Sequence, residues 1–349
     1  MKIGVLTGGG DAPGLNAVIR GIVFAAEREG FEVVGIKRGW AGLLDRVETE
    51  SLTPDKVKDI IDEAGTIILT SRTNPLKEKN DVDTVISNIE MLGLDALIAI
   101  GGDDTLSVAA ELSKRGVNVV GVPKTIDNDV EGTDFTFGFL TAVEQATEAL
   151  DNLKATAAAH ERVMVAEIMG RHAGWIALYS GVAAGADLIL IPEKPFKVSD
   201  VVGFVKRRRG EGKAGILIVI AEGALIADYE GPITKDMKKD AFGHVYLGGI
   251  GEFLAKEIEK ATGFETRAVV PAHIIRGKRP IAFDRVLATR FGVEAVRFVK
   301  EKRFGKMVAL SGTKIVERAL EDMSWKTRTV DDGIYRQAVD PFQHDFGKP

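Results

Sequence analysis

The stretch "LDALIAIGGDDTLSVAAEL", residues 94–112, changes character twice within a few turns of chain. An apolar run from Ala96 to Ile100 ends in Gly101-Gly102, two carboxylates follow at once, and the remainder has helical spacing. A run this apolar predicts a strand buried on both faces, as in a parallel sheet covered by helices. A strand, a glycine turn and a helix start make a cradle for phosphate, because the free backbone N–H groups of the first helical turn point at the ligand. Two adjacent carboxylates, Asp103 and Asp104, beside such a cradle need a reason. One carboxylate suits a magnesium ion, which takes hard oxygen ligands. The second requires a separate explanation.

The same alternation extends in both directions. Short runs rich in β-branched residues, "KIGVLT", "FEVVGIK", "TIILT", "NVVGVP", "RVMVAEI", "LILIP", "GILIVIAE", "RAVVPA" and "MVALSG", alternate with stretches such as "LNAVIRGIVFAAEREG" and "AFDRVLATRFGVEAVRFVKEK". The latter repeat apolar residues at helical intervals. The predicted class is α/β, with two doubly wound, mainly parallel sheets flanked by helices. A length of 349 residues suits two cores better than one. No Pro- or Ser-rich linker divides the chain; its texture changes only near 138–156, which suits bodies joined by several crossings.

Composition excludes several classes. A net charge of −5 gives no general attraction to nucleic acid or to an anionic membrane. The run Lys206-Arg207-Arg208-Arg209 reads as a solvated helix face, with an anion or effector site as the alternative. With no cysteine, disulfides and thiolate metal sites are excluded. The longest apolar stretch, "GILIVIAEGALIA", is too short to span a bilayer and contains Glu222. The start, "MKIGVLTGGG", lacks the apolar core of a signal peptide, so a soluble cytoplasmic protein is expected. The tail after Trp325 is polar and poorly periodic, and reads as a surface arm or an oligomer contact.

Two further loops sit where strands run out. "TGGGDAPGLN", residues 7–16, is glycine-rich but is no Walker A loop, since no Gly-Lys-Ser/Thr follows. Nor does it fit G-x-G-x-x-G, because Pro13 takes the last glycine position. "VPKTIDNDVEGTD", residues 122–134, packs Lys124, Thr125, Asp127 and Asp129 around one loop beyond a buried strand. Open α/β sheets bind ligands at that edge. For any single Asp here, an Asx turn explains the residue equally well.

Taken together and in order, "GGGDAPGLNAVIR", "GGDDT", "PKTIDND", "EIMGRHAGWIAL" and "HIIRGKRPIAFDR" resemble the 6-phosphofructokinase family from residue 3 to about residue 310. The resemblance implies transfer of a phosphoryl group to the 1-hydroxyl of fructose 6-phosphate, with Mg²⁺ as cofactor. It implies Asp127 as the base, with Thr125 and Asp129 tuning the reacting groups and Asp103 binding the metal. Gly9, Gly10, Arg72 and Gly102 would touch the donor, and Met169, Gly170 and Arg171 would line the sugar and the transferred group. Glu222 would bond sugar hydroxyls, while Arg162, Arg267, His273 and Arg276 would clamp the 6-phosphate. In the family, the residues matching Arg162 and Arg267 reach in from a neighbouring subunit, so a homodimer or homotetramer is expected. The implied division is a donor-binding body of 1–138 plus about 275–301, and a sugar-binding body of 139–274 plus about 302–349, with the site in the cleft between them.

Within that family, the position matching Asp104 is typically glycine in ATP-using members, and the one matching Lys124 is often glycine too. Asp104 and Lys124 therefore resemble the pyrophosphate-dependent branch, whose reaction is reversible. Some ATP users keep the lysine, so the weight falls on Asp104. The alternative is an ATP-dependent enzyme. Enzymes of the NAD kinase and diacylglycerol kinase group would explain "GGDDT" but leave "PKTIDND" and "HIIRGKRP" idle, and a nucleotide sensor would not need a base, a metal ligand and an arginine clamp together. His160, His172, His244 and His344 show no metal spacing. Lys213 and Asp187 lie where the family's bacterial ATP enzymes bind effectors, but their surroundings depart from that pattern, and the segment 226–250 looks long.

Overall fold

Helices cover both faces of two largely separate sheets in the computed structural model, which describes residues 1–44, 46–78, 80–228, 247–343 and 346. The chain begins with β1 (Lys2–Thr7), α1 (Leu15–Arg28), β2 (Glu32–Ile36), β3 (Thr49–Ser51), α2 (Pro54–Val57), α3 (Asp81–Met91), β4 (Ala96–Gly101), α4 (Asp103–Lys114) and β5 (Val119–Pro123). It continues with α5 (Phe139–Ala159), β6 (Val163–Ile168), α6 (Trp175–Ala183), β7 (Leu188–Leu190), α7 (Val198–Gly210), β8 (Ile216–Ala221), α8 (Ile250–Thr262) and β9 (Thr266–Val269). α9 (Ala282–Lys300), β10 (Lys306–Ser311), β11 (Lys314–Ala319) and α10 (Asp332–Gln343) complete the order.

The larger sheet runs β11-β10-β5-β4-β1-β2-β3, parallel except for its two edge strands, and the smaller runs β7-β8-β6-β9, all parallel. Alternation along each strand explains the double cover. Ile3, Val5, Ile98 and Ile100 pack with α1 and α9, whereas Leu6, Leu97 and Ala99 pack with α3 and α4. In the second sheet Met164, Ala166 and Leu217 meet α5 and α6, while Val163, Val165 and Ile218 meet α7 and α8. Strands buried on both faces have no polar face to show, which is why their runs are continuously apolar.

Strand order places the site. β1 is followed by β2 on one side and β4 on the other, so chain direction across the sheet reverses between β1 and β4. The carboxyl ends of β1, β4 and β5, neighbours in the sheet, thus deliver "GGG", "GGDD" and "KTIDND" to one crevice.

Several expectations are corrected. "TIILT" is no strand: Leu69 has φ 58, its carbonyl accepts Thr7 Oγ1 at 2.8 Å, and buried Ile68 plugs the space over Gly35. β3 and β11 were not foreseen, since edge strands need only one apolar face. The stretch 302–349 was expected with the second sheet, yet β10 pairs with β5 and carries β11 into the first sheet. The tail is neither aperiodic nor a free arm, because α10 buries Val339 and Tyr335 donates to the Ile189 carbonyl at 3.1 Å. Most of the segment 226–250 lies outside the described residues, as do His244 and His344.

α1 and α9 cross at two glycines. A Cβ on Gly292 would lie 2.5 Å from the Val18 carbonyl oxygen, and one on Gly21 would lie 2.8 Å from that of Thr289. Backbone cannot yield as a side-chain tip can. Gly292→Val is expected to destabilise by about 1–3 kcal/mol, the usual cost of overpacking, read as a lower urea midpoint. An unchanged midpoint would contradict this account of the crossing.

Candidate active site

The glycine turns build one rim of the crevice. Gly8 N donates to Ile100 O and Gly9 N to Ser71 O, both at 2.9 Å, fixing the loop after β1 beside β4. Added Cβ atoms on Gly8 and Gly101 would stand 2.4 and 2.3 Å from buried Thr105 in the first turn of α4. Gly9 has φ 83, a region that favours glycine, and a Cβ on Gly10 would meet Arg276 Nη1 at 2.5 Å. The two loops therefore approach α4 as closely as backbone allows, and leave room for an anion at its N-terminus.

Lys124 ties this rim together. Its ammonium donates to Gly8 O at 2.9 Å and Gly10 O at 2.5 Å. Two of the three donors of an ammonium are thereby occupied, and the side chain still lines the cleft. Burial, and then the nearby Arg276 charge, pull its pKa down to about 7, against the opposing pull of Asp11, Asp127 and Asp129.

Carboxylates crowd the same cleft. Burial, and then the charges of Asp129, Asp104 and Glu131, push Asp103 up to about 8, and its buried Oδ1 has no hydrogen-bond partner. Burial followed by repulsion from Asp127 also raises Asp129. Asp127 is 5% exposed; its backbone N–H donates to Thr125 Oγ1 at 3.0 Å and its Oδ1 has no partner. Gly102, Asp104, Arg72, Arg171 and Arg276 complete a wall in which cations face the acidic group. Among the described residues no three His, Cys, Asp or Glu side chains form a metal cage. Asp103 nevertheless fits a divalent cation that keeps water or phosphate oxygens, since a partnerless buried oxygen amid excess negative charge is what such an ion would neutralise.

The second sheet supplies the opposite wall. β6 and β8 are paired Ile168 to Ala221, so the residues following each strand meet. Glu222 N donates to Ile168 O at 2.8 Å, and its Oε1 accepts Gly170 N at 3.2 Å and Arg171 N at 2.9 Å. Its carboxylate thus holds the loop that presents Arg171, and burial raises its pKa. Arg171 has φ 52, Gly170 has φ 152, and a Cβ on Gly223 would stand 1.8 Å from Arg171 O, so the turn is closely packed. Arg276, 7% exposed, bridges the two sheets through Asp11 O at 3.0 Å.

Not every expected residue converges. Met169 packs partly against the second core, and His273 is exposed outside the cleft. Arg162 and Arg267 lie at the amino ends of β6 and β9, the edge opposite the cleft, where Glu265 pairs with them at 2.8 and 2.7 Å. A six-residue strand separates the two edges by about 20 Å, beyond the reach of either side chain to its own cleft. Lys213 and Arg208 pair with the buried Asp187 carboxylate at 2.7 and 3.3 Å, so part of the basic run faces inward rather than into solvent. Thr105, His172, Trp325 and Thr327 line the cleft without having been foreseen as site residues. Thr105 follows "GGDD" directly and His172 lies inside "EIMGRHAGWIAL", so both were legible in principle; Trp325 and Thr327 carry no local signal.

Such a cleft, with a glycine cradle at a helix N-terminus, opposed carboxylates and cations, and an acceptor wall on a second sheet, defines an α/β phosphotransferase. The chain belongs to the phosphofructokinase family, whose model, described as "Phosphofructokinase", matches residues 2–299. It is 53% identical over 339 residues, 97% of this chain and 98% of the relative, to the pyrophosphate–fructose 6-phosphate 1-phosphotransferase of Amycolatopsis methanolica. It is 48% identical over 340 residues, 97% and 99% of the two chains, to ATP-dependent 6-phosphofructokinase 3 of Streptomyces coelicolor. Phosphofructokinase of Pichia pastoris in the T-state superposes with a TM-score of 0.82 at 34% identity, covering 92% of this chain but 35% of that longer one.

Proposed function

We propose that this chain transfers a phosphoryl group from pyrophosphate to the 1-hydroxyl of fructose 6-phosphate, reversibly, giving fructose 1,6-bisphosphate and phosphate. The observation that carries the donor assignment is Asp104, half-buried in the first turn of α4 beside Asp103 and lining the same cleft as the glycine loops and Lys124. A glycine at that position leaves room for an α-phosphate, whereas a carboxylate fills the space and repels it. Pyrophosphate has nothing to place there.

Asp127 accepts the proton of the 1-hydroxyl; the freed oxygen attacks phosphorus, and the bond to the departing phosphate breaks. Asp129 and Thr125 hold the loop on which that base sits. Lys124, Gly9, Gly10, Gly102 and Arg72 receive the donor, and Lys124 and Arg171 stabilise charge on the group in transit. Gly170 lines the sugar with Met169 behind it against the second core, Glu222 keeps the sugar-facing loop in place, and Arg276 serves the 6-phosphate together with His273, which sits on the same short helical turn outside the cleft. Magnesium, held by Asp103, would supply charge neutralisation at the donor oxygens. The first sheet with its helices forms the donor body and the second the sugar body. Among the described residues no helix is long and apolar enough to cross a membrane, and action in the cytoplasm is part of the proposal.

The position of Arg162 and Arg267 supports sites shared between subunits of a homodimer or homotetramer. Each charge-assisted bond to a phosphate contributes about 1.5–3 kcal/mol, so Arg267→Ala is expected to raise the fructose 6-phosphate KM about tenfold to a hundredfold with kcat little changed. Mixed oligomers of Asp127→Ser and Arg267→Ala chains should recover activity. No recovery in oligomers shown to be mixed would contradict shared sites.

The function itself is tested in reverse. Purified enzyme given fructose 1,6-bisphosphate, inorganic phosphate and Mg²⁺ should produce pyrophosphate, seen directly by phosphorus NMR. No pyrophosphate, with bisphosphate formed instead from ATP in the forward direction, would overturn the proposal.

A further inference from the structure

The segment from Ser324 to Val330 crosses from the catalytic loop to the second sheet. At its start, Ser324 Oγ donates to Glu131 Oε2 at 2.7 Å. At its end, Val330 N donates to Glu193 Oε1 at 2.8 Å, the oxygen that also accepts Gly174 N at 3.0 Å. Trp325 and Thr327 line the cleft between these anchors. Arg328 makes the central contacts. Its backbone N–H donates to Asp129 O at 2.7 Å and its Nη1 to Asn128 O at 3.1 Å. The guanidinium lies 4.4 Å from the centroid of the Trp175 ring, whose Nε1 donates back to Arg328 O at 2.9 Å.

We propose that Arg328 is a positioning residue for phosphoryl transfer, holding the Asn128–Asp129 backbone and through it the carboxylate of Asp127. The inference rests on the reading of Asp127 as the base. Asp127 Oδ1 has no hydrogen-bond partner, so no bond to that oxygen fixes the carboxylate and the loop backbone must. That backbone is braced from within, where Asn128 Oδ1 accepts Thr136 N at 3.0 Å and Thr136 Oγ1 donates to Thr125 O at 2.8 Å. Arg328 braces it from outside, on the carbonyls of the two residues after Asp127. Asn128 sits at φ 53, a left-handed conformation that an asparagine adopts with less strain than most residues but that still depends on its surroundings. Trp175 in turn holds Arg328 by stacking and by hydrogen bonding, so the first turn of α6 in the second sheet's body sets the base carried by the first.

The test pairs Arg328→Met, which keeps a stem over Trp175 and loses the guanidinium donor, with Arg328→Lys, which keeps a cationic donor. A misplacement of about 1 Å costs about a hundredfold in rate, so Arg328→Met is expected to lower kcat about tenfold to a hundredfold. KM for fructose 6-phosphate and pyrophosphate and the melting temperature should stay near wild type, and Arg328→Lys should recover part of the loss. Arg336→Ala on the exposed side of α10 serves as control and should leave kcat unchanged. Wild-type kcat in Arg328→Met overturns the inference. So does an equal loss in the Met and Lys variants accompanied by a matching fall in melting temperature. If Arg328→Met does not fold, Trp175→Phe, which removes the donor to Arg328 O, must lower kcat with KM unchanged, and an unaltered kcat there overturns it. Asp127→Ser is measured in parallel. A fully active Asp127→Ser would refute the base assignment, whereas an impaired Asp127→Ser beside an active Arg328→Met would refute the positioning role alone.

Discussion

Asp127→Ser is expected to lower kcat by about 10²–10⁴ or more, the range lost with a general base, while fructose 6-phosphate still binds. Asp127 is buried in the loop after β5, its Oδ1 has no hydrogen-bond partner, and the basic side chains of Lys124, Arg171 and Arg276 line the same cleft. Serine cannot accept the proton at neutral pH. It also removes a negative charge that raises Asp129, so Asp129 should titrate lower in the variant than in the parent. Steady-state kinetics with both substrates varied separates the two effects: loss in kcat with little change in KM reports a transition-state interaction. A variant that keeps more than about a tenth of wild-type turnover would exclude Asp127 as the base.

How much of this was legible in the chain depends on what each residue contacts. Strands covered by helices on both faces, such as "ALIAI" and "GILIVIA", announce themselves because neither face meets water. Edge strands such as "TES" and "KIVERA" expose one face and carry charges, so they read as loop. "TIILT" has strand composition, yet Ile68 is spent on filling the space above Gly35 rather than on a ladder. The glycine and Asp motifs were readable because their chemistry is local: a turn, a helix start, a strand end. Arg162 and Arg267 were named through the family motifs, but their place at the edge opposite the cleft was not readable, and the segment around Arg328 acts across 200 residues through backbone carbonyls that leave no periodic trace. Glu222 is expected on sugar hydroxyls, and the structure adds a second task, since its Oε1 holds Gly170 and Arg171; only the register of β6 and β8 reveals that.

Asp104→Gly carries the other large effect. Two like charges about 4 Å apart at an effective dielectric of about 20 repel by about 4 kcal/mol, enough to shift donor preference by up to about a thousandfold. Opposing costs are smaller: an acidic residue in a first helical turn contributes about 0.3–1 kcal/mol, and glycine lowers helix propensity by about 1 kcal/mol. Donor selection therefore dominates over any loss of helix stability, and the variant should fold. It should also relieve Asp103, whose pKa is raised in part by the neighbouring Asp104 charge. The measurement that bears most directly on the account is kcat/KM for pyrophosphate and for ATP, each with Mg²⁺ and fructose 6-phosphate, in wild type and in Asp104→Gly. The wild type should prefer pyrophosphate, and the variant should gain in ATP use relative to pyrophosphate. A wild type that prefers ATP, or a variant with no relative gain, would contradict it.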